Sequence, residues 1–283
     1  MMSSTPGVVK RGRAAAPGKT SFNVPAVAKA VAIIRLLNDR SSDGATLSEI
    51  ADALTVTRSH CHNILRTLTA HDWISYDPEA RLYRLSSGIS ADSATALVSM
   101  AHFDTLRAFT LELSDMVGLQ CTLSEPIADG TYLVVLTTKQ TDASMLSVPV
   151  GYKFPPGTPV QMKAMLAWID AAKQAAALDR WHPVRFTNMT ITDRPRLRDA
   201  LRQTRRDGFA RSDGEFVEGF TTLALPIFNR SGEVFAILSL AGPDDDFTQR
   251  ETKAAEALIA SVARIHAKID GRPPVDFPRS NTL

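Results

Sequence analysis

The sequence predicts an α+β chain in two parts: three short helices and a hairpin, then a linker helix and a larger domain built on a largely antiparallel sheet. Two observations lead there. Apolar residues recur at helical spacing between residues 24 and 68 and then give way to two short aromatic and aliphatic runs. From residue 119 onward, strand-like segments mix with helices, and several links are short enough for hairpins. The 283 residues, 44% apolar and 22% charged, suffice for two modest cores. No apolar run approaches the roughly 18 residues of a membrane-spanning helix, and the first residues lack the apolar core of a secretory signal. A cytoplasmic protein with no membrane partner is therefore expected. Cys61 and Cys121 fall in different parts of the chain and are expected to stay reduced.

Taken in order, residues 1–23 are rich in Ser, Ala, Gly and Pro and carry Lys10, Arg11, Arg13 and Lys19 with no acid, the composition of a flexible basic arm. Val27, Ala30, Val31, Ile34 and Leu37 set one apolar stripe on a first helix, which the polar stretch from Asn38 to Gly44 ends. Thr46 and Glu49 have the spacing of a capping box, opening a second helix with Ile50, Ala51 and Leu54 inward. After the turn Thr55-Val56-Thr57, a third helix places Cys61, Ile64, Leu65 and Leu68 on one buried face. Trp73–Tyr76 and Arg81–Leu85, around Asp77-Pro78-Glu79-Ala80, make a hairpin. Helices this short are stable only when packed together, and this order over residues 24–88 is that of a winged helix-turn-helix.

Residues 89–105 read as the linker helix and 106–270 as the second domain. Its expected strands are Leu119–Ser124, Leu133–Thr138, Met145–Val150, Thr222–Phe228 and Glu233–Leu240, the last two joined by the turn Asn229-Arg230-Ser231-Gly232. Its expected helices are Val160–Ala176, Pro195–Asp207 and Thr248–Ile269, with a tail at 271–283.

With its apolar side buried, the third helix exposes Arg58, Ser59, His62, Asn63 and Arg66, preceded by Thr57. These side chains suit double-stranded DNA: Asn pairs bidentately with adenine and Arg with guanine, and a hydroxyl near a helix start suits phosphate. A polar helix face is by itself only a solvated face; its position between a capped helix and a hairpin is what points to DNA. Arg81 and Arg84 on the hairpin could grip phosphate or the minor groove. Charge is distributed accordingly: residues 1–86 hold 11 Lys and Arg against 7 Asp and Glu, a net +4, and the remainder nets −2.

Leu47-Ser48-Glu49-Ile50-Ala51, Ser59 through Leu68 and the hairpin end Tyr83-Arg84-Leu85-Ser86 resemble the IclR-type transcriptional regulators. The resemblance continues through Val150-Gly151-Tyr152-Lys153-Phe154-Pro155, Lys163 through Ala167, Asp207-Gly208-Phe209-Ala210, Asp213, Glu215, Gly219 through Pro226 and Ser239 through Pro243. It departs where the family has Gly and this chain Thr55, Ser-Thr and this chain Ser59-His60, Arg and this chain Asn63, which suggests a private operator. The resemblance implies a GAF-like effector domain for small organic or aromatic acids, in a homodimer or homotetramer. It places effector contacts at Val160, Gln161, Met162, Ser212, Asp213, Thr222, Ser239 and Ala241. Met162, Thr222 and Ala241 stand where the family usually has Gly, Cys and Ser, so an effector more apolar than the smallest keto acids is expected.

Read from the residues alone, Ser212, Asp213, Thr222 and Ser239 offer hydrogen-bonding groups beside an apolar sheet, as a small-molecule pocket requires; equally, they could be strand hydroxyls bonded to backbone and a solvated acid. No G-x-S-x-G elbow, P-loop, dinucleotide fingerprint or H-E-x-x-H occurs, so no catalysis and no cofactor are expected, an enzyme in the second domain being the alternative. His60-Cys61-His62 is no metal site on this reading, because neighbouring helix residues diverge by about 100° and Cys61 points inward.

Overall fold

The computed structural model describes residues 24–40, 43–98, 102–138 and 148–278. The expected basic arm and the end of the C-terminal tail lie outside these residues. The chain divides into two compact units, one up to Ser99 and one from Met100.

The first unit comprises α1 (Pro25–Asp39), α2 (Leu47–Ala53), α3 (Arg58–Ala70), the antiparallel pair β1 (Ile74–Asp77) and β2 (Leu82–Leu85), and α4 (Ser87–Val98). The capping box at α2 forms: Thr46 N donates to Glu49 Oε2 at 2.8 Å and Glu49 N to the Thr46 hydroxyl at 3.3 Å. Thr57 caps α3 in the same way, accepting from His60 N at 3.3 Å. The core joins Ile33, Leu37, Ile50, Cys61, Ile64, Leu65, Leu68, Ile74 and Tyr83. The stripe expected on α1 is rotated: Ile33 and Leu37 are buried, whereas Val27 and Val31 are 61% and 43% exposed. One helix carries two apolar stripes, and contact with α3 and β2 selects between them. Gly44 holds the strand-like entry to α2 against the wing; its φ is +71° and a Cβ there would lie 2.7 Å from Tyr83 O.

Among the described residues, the second unit is built on a six-stranded, fully antiparallel sheet in the order β5-β4-β3-β8-β7-β6. These strands are β3 (Gln120–Pro126), β4 (Tyr132–Thr137), β5 (Lys153–Phe154), β6 (Ala210–Asp213), β7 (Phe220–Phe228) and β8 (Val234–Pro243). Helix α5 (Phe103–Val117) precedes the sheet, α6 (Pro159–Ala167), α7 (Ala171–Arg180) and α8 (Arg194–Asp207) interrupt it, and α9 (Asp244–Thr248) and α10 (Glu251–Ile269) follow. Alternation along the strands divides the faces. Leu119, Cys121, Leu123, Leu223, Leu225, Leu238 and Leu240 share the core with α5 and α10, while Ala210, Ala224 and Ile237 face the other way with Val160 and Ala164 of α6.

Several expected elements differ. The helix expected over Val160–Ala176 is broken after Ala167, where Asp170 starts α7 by accepting from Lys173 N at 2.9 Å. The helix expected over Thr248–Ile269 starts at Glu251 as α10, and the short α9 before it was not expected. β5 and β6, two and four residues long, carry too little pattern to be read. The strand expected at Met145–Val150 falls partly outside the described residues, and Val148–Val150 is not in a strand. Residues 271–278 are no free tail. Phe277 is 4% exposed, its ring 4.9 Å from Trp168 and 5.3 Å from Phe228.

Candidate functional site

The first unit presents an exposed polar helix face. Burial of Cys61, Ile64, Leu65 and Leu68 turns Arg58, Ser59, His62, Asn63 and Arg66 outward, and all five, with Thr57, are exposed. Cys61 is fully buried, which raises its thiol pKa, while His60 and His62 point to solvent. Beside α3 the wing turn is built by Asp77, whose carboxylate accepts from Glu79 N at 3.0 Å and Ala80 N at 3.1 Å. The Ala80 amide first, and the Arg84 guanidinium at 3.3 Å, hold its carboxyl below the usual range. Arg81 stands exposed at the turn with φ +55°, and Arg84 is half-buried against Asp77. Between α2, α3 and the wing runs an open groove whose walls include Ser48, His62, Arg66, Tyr76 and Arg81. Sequence reasoning missed Ser48 and Tyr76. Tyr76 is exposed and faces Tyr83 across the hairpin, their rings 4.7 Å apart.

The second unit holds a cavity against the sheet face away from α5 and α10. Ser212, Thr222, Ala241 and Gln120 lie in one cross-strand row, and Thr122 and Ser239 in the next; all six line the cavity. Thr158, Val160 and Gln161 at the start of α6 form one wall, and Phe154, Phe216, Val217 and Phe220 another. The Thr122 and Ser239 hydroxyls bond to each other at 2.8 Å. Thr158 spends its hydroxyl on Pro155 O at 2.7 Å and caps nothing, leaving the amides of Val160 and Gln161 without a side-chain cap. Among the described residues, no charged side chain lines the cavity.

Six of the eight residues expected at the effector site therefore meet there. Asp213 does not, because strand alternation turns it away from Ser212, toward Arg211 and the Thr221 hydroxyl at 3.1 Å. Met162 does not either; it is 8% exposed and belongs to the core on the other side of α6. Gln120, Thr122 and Phe154 were missed. Gln120 and Thr122 alternate with Leu119, Cys121 and Leu123, which is the signal of a strand with one polar and one apolar face.

A capped helix-turn-helix with a basic wing, followed by a sheet domain with a polar-floored cavity, defines a DNA-binding transcriptional regulator with an effector domain. The comparisons name the family. Residues 26–78 match the IclR helix-turn-helix domain and residues 94–267 the bacterial transcriptional regulator IclR C-terminal domain, so the chain belongs to the IclR family. It is 26% identical over 219 residues to the HTH-type transcriptional regulator XynR of Escherichia coli, covering 77% of this chain and 86% of that one. The crystal structure of the regulator from Alicyclobacillus acidocaldarius superposes with a TM-score of 0.75 at 27% identity, covering 87% and 99%. An IclR homolog from Microbacterium hydrocarbonoxydans, solved in complex with 4-hydroxybenzoate, has the same fold, with a TM-score of 0.69 at 19% identity over 87% and 99%. Among the described residues, no helix is long and apolar enough to cross a membrane.

Proposed function

We propose that the protein is a ligand-responsive regulator in which α3 reads operator DNA and the cavity takes a small organic acid with an apolar body. On this reading Asn63 and Arg66 reach base edges in the major groove, Thr57, Arg58 and Ser59 hold phosphate at the start of the helix, and Arg81 and Arg84 serve the wing. The cavity carries the ligand reading. Its polar groups among the described residues are hydroxyls and amides, and two helix-start amides lie uncapped beside them, an arrangement suited to a carboxylate. Its aromatic wall suits an apolar or aromatic body, in line with the 4-hydroxybenzoate of the Microbacterium homolog. The protein acts as a homodimer or homotetramer, and the exposed Val27 and Val31 of α1, with Val24 just before it, offer apolar surface for self-association.

The test is a gel shift on an operator selected from random-sequence DNA, with and without aromatic and branched carboxylic acids. One of these acids should change operator affinity. Ser239→Ala should weaken that response by about 0.5–1.5 kcal/mol, roughly 2- to 12-fold in ligand concentration, and leave ligand-free DNA binding intact. An operator shift that no acid alters, or a response that Ser239→Ala leaves untouched, defeats the ligand reading.

A further inference from the structure

The cavity has about 60 Å³ of free volume, room for on the order of five waters, so an acid with an apolar body enters only if a wall moves. One wall is a short loop between two glycines. Residues 214–219 join β6 to β7 between Gly214 and Gly219, whose φ angles of +59° and +77° are left-handed, and their Phe216 and Val217 line the cavity. The Phe216 ring sits between Phe154, 5.6 Å away, and Phe186, 5.0 Å away. The backbone of this loop is tied from outside by neutral bonds, Thr187 Oγ1 to Gly214 O at 2.6 Å and Thr190 Oγ1 to Glu215 O at 2.7 Å. Inside stands the only charged tie of the loop among the described contacts: Lys163 Nζ donates to Glu215 Oε1 and to Arg211 O. The two side chains are 4% and 10% exposed. Lys163 follows Val160 and Gln161 on α6, so the pair joins the cavity wall that moves to the one that stays.

We propose that the Lys163–Glu215 pair is the latch of an entrance gate, holding residues 214–219 shut over the cavity. The inference rests on the cavity being the effector site, but the mechanics do not depend on the ligand. Opening separates two charges that are buried together, and water has to reach both before the loop swings on its glycines. The closed state is therefore dominant and entry is slow, and a bound acid is held by the same latch.

The gate can be tested without a ligand by placing a thiol on the cavity floor with Ser239→Cys and following its reaction with dithionitrobenzoate, too bulky for a cavity of this volume. Cys121, buried in the same unit on the other side of the sheet, reports global unfolding. Adding Glu215→Gln should speed labelling at position 239 at least tenfold while Cys121 stays at its parent rate, and the charge swap Lys163→Glu with Glu215→Lys should return labelling toward the parent rate. Parent-rate labelling in a cooperatively melting Glu215→Gln protein overturns the latch, as does acceleration shared equally by Cys121. If Glu215→Gln does not fold, Lys163→Met with Glu215→Met replaces it, with faster labelling at 239 supporting the latch and parent-rate labelling overturning it. Failure of the effector reading registers separately, as an operator shift that no acid changes.

Discussion

Thr55→Gly should stabilise the first unit. Thr55 closes the turn between α2 and α3 with φ +51°, donates its amide to Asp52 O at 3.2 Å, and has an exposed side chain with no hydrogen bond. An L-residue in the left-handed region costs about 1–2 kcal/mol, and a β-branched one sits at the upper end because Cβ carries two substituents. Glycine removes that strain but gives back about 0.5–1 kcal/mol through its greater freedom in the unfolded chain. The net gain is about 0.5–1.5 kcal/mol. Hydrogen exchange read on peptides covering residues 58–70 of the full chain should show α3 amides about 2- to 12-fold better protected. Thr55→Ala keeps the Cβ and should gain little. Unchanged or poorer protection in the Gly variant, or an equal gain in the Ala variant, refutes the strain argument.

Two other expectations concern α3 and the C-terminal half. Asn63→Ala should relax preference at one base position, at about 1–3 kcal/mol, while Arg58→Ala should weaken all sequences and flatten the salt dependence; gel shifts that keep wild-type specificity and salt slope in both remove α3 from the interface. His266 accepts from Phe228 N at 2.9 Å, and burial lowers its pKa to about 4. The unfolded chain takes up this proton near pH 6.5 and the folded chain only near 4. Stability is therefore full above about pH 6.5 and falls by roughly 3 kcal/mol as pH drops to about 4, below which this group contributes no further change. Urea unfolding across that range should show the loss, and His266→Gln should flatten it; an unchanged slope in the variant assigns the loss to other groups.

Much of the first unit is local. The capping box, the Thr57 cap and the buried face of α3 each depend on spacings of three or four residues, and helix geometry converts such spacings directly into faces. The exposed side of α3 follows once its buried side is known, so the candidate DNA contacts were legible before any packing was seen. Val27 and Val31 mark the limit: they fit a helical stripe as well as Ile33 does, and only the position of α3 and β2 decides which stripe is covered. In the second unit the sequence determined that strands alternate and where most of them lie. It did not determine register, which is a relation between residues more than 100 apart, such as Thr122 and Ser239. Register is what gathers Gln120, Ser212, Thr222 and Ala241 into one row, and alternation is what removes Asp213 from it. Met162 was misplaced for a related reason, since which side of α6 meets the sheet is settled by the sheet. Lys163 and Glu215, 52 residues apart, meet only in the folded unit, where two charges buried together have to pair.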